Sequence, residues 1–121
     1  MSENNQKIII FDTTMRDGEL TPGVKMNLQQ KIIISQLLED MGVDIIEIGY
    51  PASSQKDFDQ VFNISKIIKN STICGLASSN SNEIITLAEA IKPAIRGRIH
   101  IYTPVRDFQK IKYTSDKNDN H

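Results

Sequence analysis

Cysteine is almost absent from this sequence. Cys74 is the only one in 121 residues, which excludes an internal disulfide and any zinc site built on cysteines. Histidine is nearly as scarce, with His100 and His121 the only two. No sign of charge dominates: 14 Lys and Arg against 15 Asp and Glu leave a formal net charge of −1. The chain therefore offers no electrostatic case for a nucleic-acid partner or an anionic membrane. Long apolar runs are missing as well. The longest, Ile8 to Phe11, is a strand's length, far short of the ~18–20 residues of a membrane span. The opening residues Met1 to Lys7 have no apolar stretch, so no secretory signal is expected and a reducing cytoplasm is the expected compartment.

What is present is isoleucine. Ile, Leu, Val and Phe make up 34 of the 121 residues, above the level of a disordered chain, and the length suits one domain at most. These residues fall into short Ile-rich runs that alternate with longer amphipathic ones. Residues 7–12, 44–49, 72–77 and 98–102 read as strands, and the first, apolar without alternation, reads as buried on both faces. Between them, Asn27 can cap a helix whose apolar positions are Leu28, Ile32, Ile33, Leu37 and Met41, closed by Gly42 in the left-handed position. Ser53 or Ser54 starts a second helix with Phe58, Val61, Phe62, Ile64, Ile67 and Ile68 on its stripe. Ser81 is a candidate cap for a third, which runs through Ile84, Leu87 and Ile91 to Pro93.

The order βαβαβαβ with short connections calls for α/β architecture with a parallel sheet. Its starts at Ile8, Ile45, Ile73 and Ile99 suit one βα unit per step, in a (β/α)8 barrel or in a doubly wound open sheet. A barrel requires strand order 1-2-3-4, whereas an open doubly wound sheet places the first strand in its interior. Residues 1–105 form this unit. Residues 106–121 carry only Phe108, Ile111 and Tyr113 as large apolar side chains and read as a polar, disordered tail.

In parallel α/β folds the reactive residues stand at the carboxyl ends of the strands. The most informative end is Asp12-Thr13-Thr14-Met15-Arg16-Asp17-Gly18-Glu19, two residue types suited to anion and metal binding directly after a strand. A carboxylate there is a good hard-metal ligand, and a guanidinium can hold a carboxylate or a developing oxyanion. The same residues suit a loop in which Arg16 pairs with Asp12 or Glu19 to hold the mouth of the barrel. Cys74, within an apolar strand, reads as core.

That string, the Thr21-Pro22-Gly23 after it, and Met41-Gly42-Val43-Asp44-Ile45-Ile46-Glu47-Ile48-Gly49-Tyr50-Pro51 resemble the opening of the 2-isopropylmalate synthase family. Ser53-Ser54, Asp57-Phe58 and Arg98-Ile99-His100 continue the similarity in order, over about residues 7–103. The family comprises metal-dependent Claisen-type acyltransferases, homocitrate and citramalate synthases among them. The resemblance implies a (β/α)8 barrel that condenses acetyl-CoA with a 2-oxo acid around a divalent metal, magnesium or manganese. It assigns Asp17 as a metal ligand, Arg16 as the catalytic arginine that polarises the oxo group, and Glu47, His100 and Tyr102 as substrate-pocket residues. Lyases acting on hydroxymethylglutaryl-CoA share the Arg-Asp-Gly core, but Gly18-Glu19 and Gly49-Tyr50-Pro51 argue against them.

Three departures stand out. Leu20 replaces a usual glutamine, Ser78 replaces an arginine common in leucine-pathway members, and Thr103-Pro104-Val105 replaces a Thr-Ser stretch. A whole barrel needs about 250 residues, so the chain is expected to supply about four strands and three helices, a partial barrel. The family's His-x-His metal pair has no counterpart here, and the chain alone is expected to be inactive. Its first and fourth strands are expected to be open edges, which favours self-association or a complementing chain.

Overall fold

A computed structural model describes residues 8–18 and 25–103. Four strands run in chain order, β1 (Phe11–Asp12), β2 (Ile45–Gly49), β3 (Thr72–Ser78) and β4 (Gly97–Tyr102), in one parallel sheet of order β1-β2-β3-β4. Four α-helices connect them: α1 (Thr14–Gly18), α2 (Leu28–Asp40), α3 (Gln55–Ser65) and α4 (Ser81–Ala90). A single 3₁₀ turn, Pro51–Ser53, precedes α3. Sequential order with every strand parallel is the winding of a (β/α)8 barrel, so the fold is a partial one. The short α1 is an addition to the three helices read from periodicity.

The caps show why the helices begin where they do. Asn27 and Gln30 form a reciprocal capping box at the start of α2, each side chain taking the other's backbone N–H at 2.9 Å. Gly42, φ +88°, ends α2 in the left-handed conformation that a β-carbon disfavours. Ser54 caps α3 by accepting the Asp57 amide. For α4 the cap is Asn80 and not Ser81: the Asn80 side chain reaches the amides of Asn82 and Glu83 together, which the shorter serine one residue on cannot do.

Helices α2, α3 and α4 pack side by side on one face of the sheet. The core between them holds Ile46, Ile48, Val61, Ile64, Ile68, Ile73, Ala77, Leu87 and Ala90. Parity along the strands divides the side chains. Ile73, Ala77 and Ile99 face the helices, whereas Cys74, paired with Glu47 and with Arg98, and His100 belong to the concave inner face. The inner face curls strongly: Phe11 of β1 and His100 of β4 meet edge-to-face with ring centroids 6.0 Å apart, across the two strands between them.

Two expectations need correction. The first strand is not buried on both faces; its ladder is two residues long, and Ile8 and Ile10 are 85% and 50% exposed. Among the described residues β2 is its only neighbour, so its outer edge has no cover. The apolar stripe of α2 also splits. Leu28, Ile32 and Leu38 pack on the core, but Ile33, Leu37 and Met41 are exposed, turned away from the sheet and from α3. Lys7, Glu19, Leu20, Thr21-Pro22-Gly23 and the expected tail at 106–121 lie outside the described residues.

Candidate active site

The carboxyl end of β1 turns directly into α1. Asp12 accepts the backbone N–H of Thr14 (2.9 Å) and its hydroxyl (3.0 Å), and the Thr13 hydroxyl donates to Asp17 Oδ2 at 2.6 Å. Met15 points into the core and is fully buried, with the Ser35 hydroxyl on its sulfur. That anchor turns the next residue, Arg16, toward the strand ends.

Arg16 Nε donates to Glu47 Oε1, and its Nη2 lies 3.1 Å from Asp17 Oδ1. Glu47, in the middle of β2, is fully buried, and burial of a carboxylate is tolerated only when it is paired. Its second oxygen lies 2.7 Å from His100 Nδ1 on β4 and also takes the Cys74 thiol at 3.8 Å. The carboxylate accepts on both oxygens, so the imidazole donates from Nδ1 and keeps Nε2 as its free nitrogen. Burial and then the Glu47 charge push the Cys74 thiol up to about 12, which makes it inert and not nucleophilic.

Four of the five residues picked from the sequence thus form one contiguous cluster, Asp17–Arg16–Glu47–His100. The spacing suggests Asp12 or Glu19 as the partner of Arg16; among the described residues, which do not include Glu19, its partners are Glu47, 31 residues away, and its neighbour Asp17. Tyr102 shares a face of β4 with His100 but joins a second network. Its hydroxyl lies 3.3 Å from that of Tyr50, the two rings being edge-to-face, and Tyr50 donates to Glu83 Oε1 at 2.6 Å. The same Glu83 oxygen accepts the Ser78 amide at 2.9 Å. The Tyr50 hydrogen bond, followed by the Ser78 contacts, holds the Glu83 carboxyl below its ordinary range. Burial and the hydrogen bonds to Glu83 and Tyr102 raise the Tyr50 phenol. Sequence reasoning passed over Tyr50 and Glu83. The available signal was that Tyr50 ends a strand and Glu83 opens the helix after the next one, so the topology brings both to the same rim. A cavity of about 380 Å³ between α3 and α4 is lined by Pro51, Ser54, Asn82, Glu83 and Thr86 and does not include Arg16 or Glu47.

Among the described residues no three His, Cys, Asp or Glu side chains gather as a metal centre. Asp17 supplies one carboxylate, already held by Thr13 and Arg16, and that alone does not fit a divalent cation, which takes several oxygen ligands. No described helix is long and apolar enough to cross a membrane.

A parallel sheet wound in sequence order, with its polar cluster at the strand carboxyl ends, defines the class: the portion of a (β/α)8 barrel on which such folds build their sites. The chain belongs to the HMGL-like family, whose model matches residues 7–120 and so extends past the motifs that carried the resemblance. It is similar to 2-isopropylmalate synthase of Rhodopseudomonas palustris (strain HaA2), 53% identical over 96 residues, 79% of this chain and 18% of that protein. To the 2-isopropylmalate synthase of Dechloromonas aromatica (strain RCB) it is 46% identical over 115 residues, 93% of this chain and 22% of that one. The synthase of Chromobacterium violaceum is 46% identical over 114 residues. The chain spans about a fifth of the length of the curated relatives it matches.

Proposed function

We propose that this chain carries the arginine–carboxylate portion of the active site of a cytoplasmic 2-isopropylmalate synthase-like acyltransferase, which joins acetyl-CoA to 2-oxoisovalerate in leucine biosynthesis. The observation that carries the proposal is the buried Glu47 holding Arg16 with one oxygen and His100 with the other. A guanidinium held through Nε has its terminal nitrogens aimed by its anchor, and these can grip the carboxylate or oxo oxygen of a 2-oxo acid. As the acetyl enolate attacks the oxo carbon, negative charge grows on that oxygen, and a preorganised arginine stabilises it without reorganising. His100, fixed by Glu47, lines the same pocket, with Tyr102 further out. Asp17 is assigned as one ligand of a magnesium or manganese ion, which would supply Lewis acidity. With one carboxylate, already held by Thr13 and Arg16, the described residues by themselves do not complete a site for such an ion.

The 121-residue chain therefore binds the 2-oxo acid weakly and does not turn it over. Ligand-observed NMR with 2-oxoisovalerate is expected to give a saturation-transfer signal that Arg16→Gln abolishes. A CoA-release assay with acetyl-CoA, 2-oxoisovalerate or pyruvate, and magnesium or manganese is expected to stay at the blank. Binding that survives Arg16→Gln, or turnover that Asp17→Ala abolishes, would sink the proposal.

A second reading draws on the exposed edges. Ile8, Ile9, Ile10 and Ile101 leave β1 and β4 open, and the chain pairs with a second copy or a complementing chain through them. Sedimentation at rising concentration tests it: a mass that stays at the 13.6 kDa monomer excludes self-association.

A further inference from the structure

Of the network of Tyr102, Tyr50 and Glu83, only Tyr102 enters the function proposed above; Tyr50 and Glu83 have no role in it. Its hydrogen bonds have a direction. The Tyr50 hydroxyl has one proton and lies 2.6 Å from Glu83 Oε1, a carboxylate oxygen that only accepts, so the proton points there. The Ser78 amide donates to the same oxygen and ties Glu83 to the end of β3. With its proton committed, Tyr50 meets the Tyr102 hydroxyl, 3.3 Å away, as the acceptor. Tyr102 is the donor of that pair, and its hydroxyl has only lone pairs left for a ligand.

We propose that Glu83, acting through Tyr50, makes Tyr102 an acceptor-only contact and thereby sets the outer end of the pocket against a second acidic group on the ligand. Glu83 and Tyr50 are positioning residues; Tyr102 is the specificity-determining contact. The proposal rests on the reading that Arg16 grips the carboxyl end of a 2-oxo acid. Tyr102 stands two residues beyond His100 on the same face of β4, about 7 Å along the strand. A ligand held at Arg16 and extending along β4 meets Tyr102 with its far end. An apolar far end, as in 2-oxoisovalerate, loses nothing against an oxygen with no proton to give. A far carboxylate, as in 2-oxoglutarate, meets lone pairs where it needs a donor, and it meets the Glu83 charge one phenol behind them.

The test uses the 121-residue chain with 2-oxoisovalerate and 2-oxoglutarate as probes, their dissociation constants measured by saturation-transfer NMR. The wild-type chain is expected to prefer 2-oxoisovalerate. Tyr50→Phe leaves the Tyr102 proton free to turn outward and is expected to shift the ratio about tenfold toward 2-oxoglutarate, the scale of one hydrogen bond to a charged group. Glu83→Gln removes the charge but keeps the acceptor oxygen, so its shift is smaller and in the same direction. The double variant Tyr50→Phe/Tyr102→Phe is expected to lose the gain. A purely structural role would weaken both acids together and leave the ratio alone. An unchanged ratio in Tyr50→Phe, or a gain that persists in the double variant, overturns the proposal.

A second measurement needs no ligand. The chain has three tyrosines and no tryptophan, so tyrosine emission is read directly. A phenol hydrogen-bonded to a carboxylate is quenched; Glu83→Gln is expected to brighten the protein, and the same change in a Tyr50→Phe background is not. Emission unmoved by Glu83→Gln overturns the relay. If emission rises while neither acid binds the wild-type chain, the relay stands and the Arg16 reading is what fails.

Discussion

Replacing Glu47 with glutamine swaps two acceptor oxygens for one acceptor and one donor, at a site with no exposure to water. Arg16 cannot surrender its Nε proton, so the remaining oxygen faces Arg16 and the new NH₂ group faces His100 Nδ1. His100 accommodates it by carrying its proton on Nε2. A hydrogen bond to a charged group is worth about 1.5–3 kcal/mol. The Arg16 and His100 side chains are 24% and 45% exposed, so water recovers part of that for each. The net loss comes to about 1–2 kcal/mol. For a unit of this size that lowers the melting temperature by roughly 4–16 °C. Thermal unfolding followed by circular dichroism measures the stability. Two-bond ¹H–¹⁵N correlation spectra at about pH 9, where an ordinary imidazole is neutral, read the tautomer of His100, with His121 as the only other histidine. A Glu47→Gln chain that melts with the wild type, or whose His100 keeps its proton on Nδ1, refutes the assignment of Glu47 as the anchor of both groups.

Three further predictions concern the frame around the site. A β-carbon on Gly75 would collide with Leu87 Cδ1 in the filled core, with Gly49 O 3.4 Å away, so Gly75→Ala is expected to cost about 1–3 kcal/mol in chemical denaturation, partly relieved by Leu87→Ala. Burial pushes the Glu39 carboxyl up, but the amides of Asn70, Lys69 and Ser71 and the Lys69 charge together hold it below its ordinary 4.5. Its stabilisation is therefore present above about pH 4.5 and lost as pH falls through the lower folded value, so melting temperature should drop on acidification and Glu39→Gln should flatten the drop. Cys74, with its thiol pushed up to about 12 and no exposed surface, should resist iodoacetamide at pH 8 until the chain is unfolded; native labelling at the rate of a free thiol contradicts the packing.

Strand order, the Asn27 cap and the Gly42 terminus were legible because each is a local or topological consequence of residue type. The βα alternation with short connections makes successive strands neighbours in a barrel, and Gly42 sits where a left-handed residue is needed. The exposure of Ile8 and Ile10 was not legible, because periodicity reports apolarity but not which neighbours cover it. The helix α1 escaped since Met15 is its only buried residue and five residues hold no period. At the site, strand-end placement selected Arg16, Asp17, Glu47 and His100 correctly as neighbours, while the pairing of Arg16 with Glu47 depends on how far the sheet curls. Glu83 was overlooked because an acid in the first turn of a helix already has a sufficient local reason, the helix dipole.

The sequential sheet order has a consequence for biosynthesis. No strand waits for a partner that is made later: β2 joins β1, β3 joins β2 and β4 joins β3, each pair being consecutive in the chain. A ribosome extends a chain at about 5–20 residues per second, far slower than local helix and strand pairing. Glu47 can therefore find Arg16 once β2 has emerged, and it acquires His100 some fifty residues later.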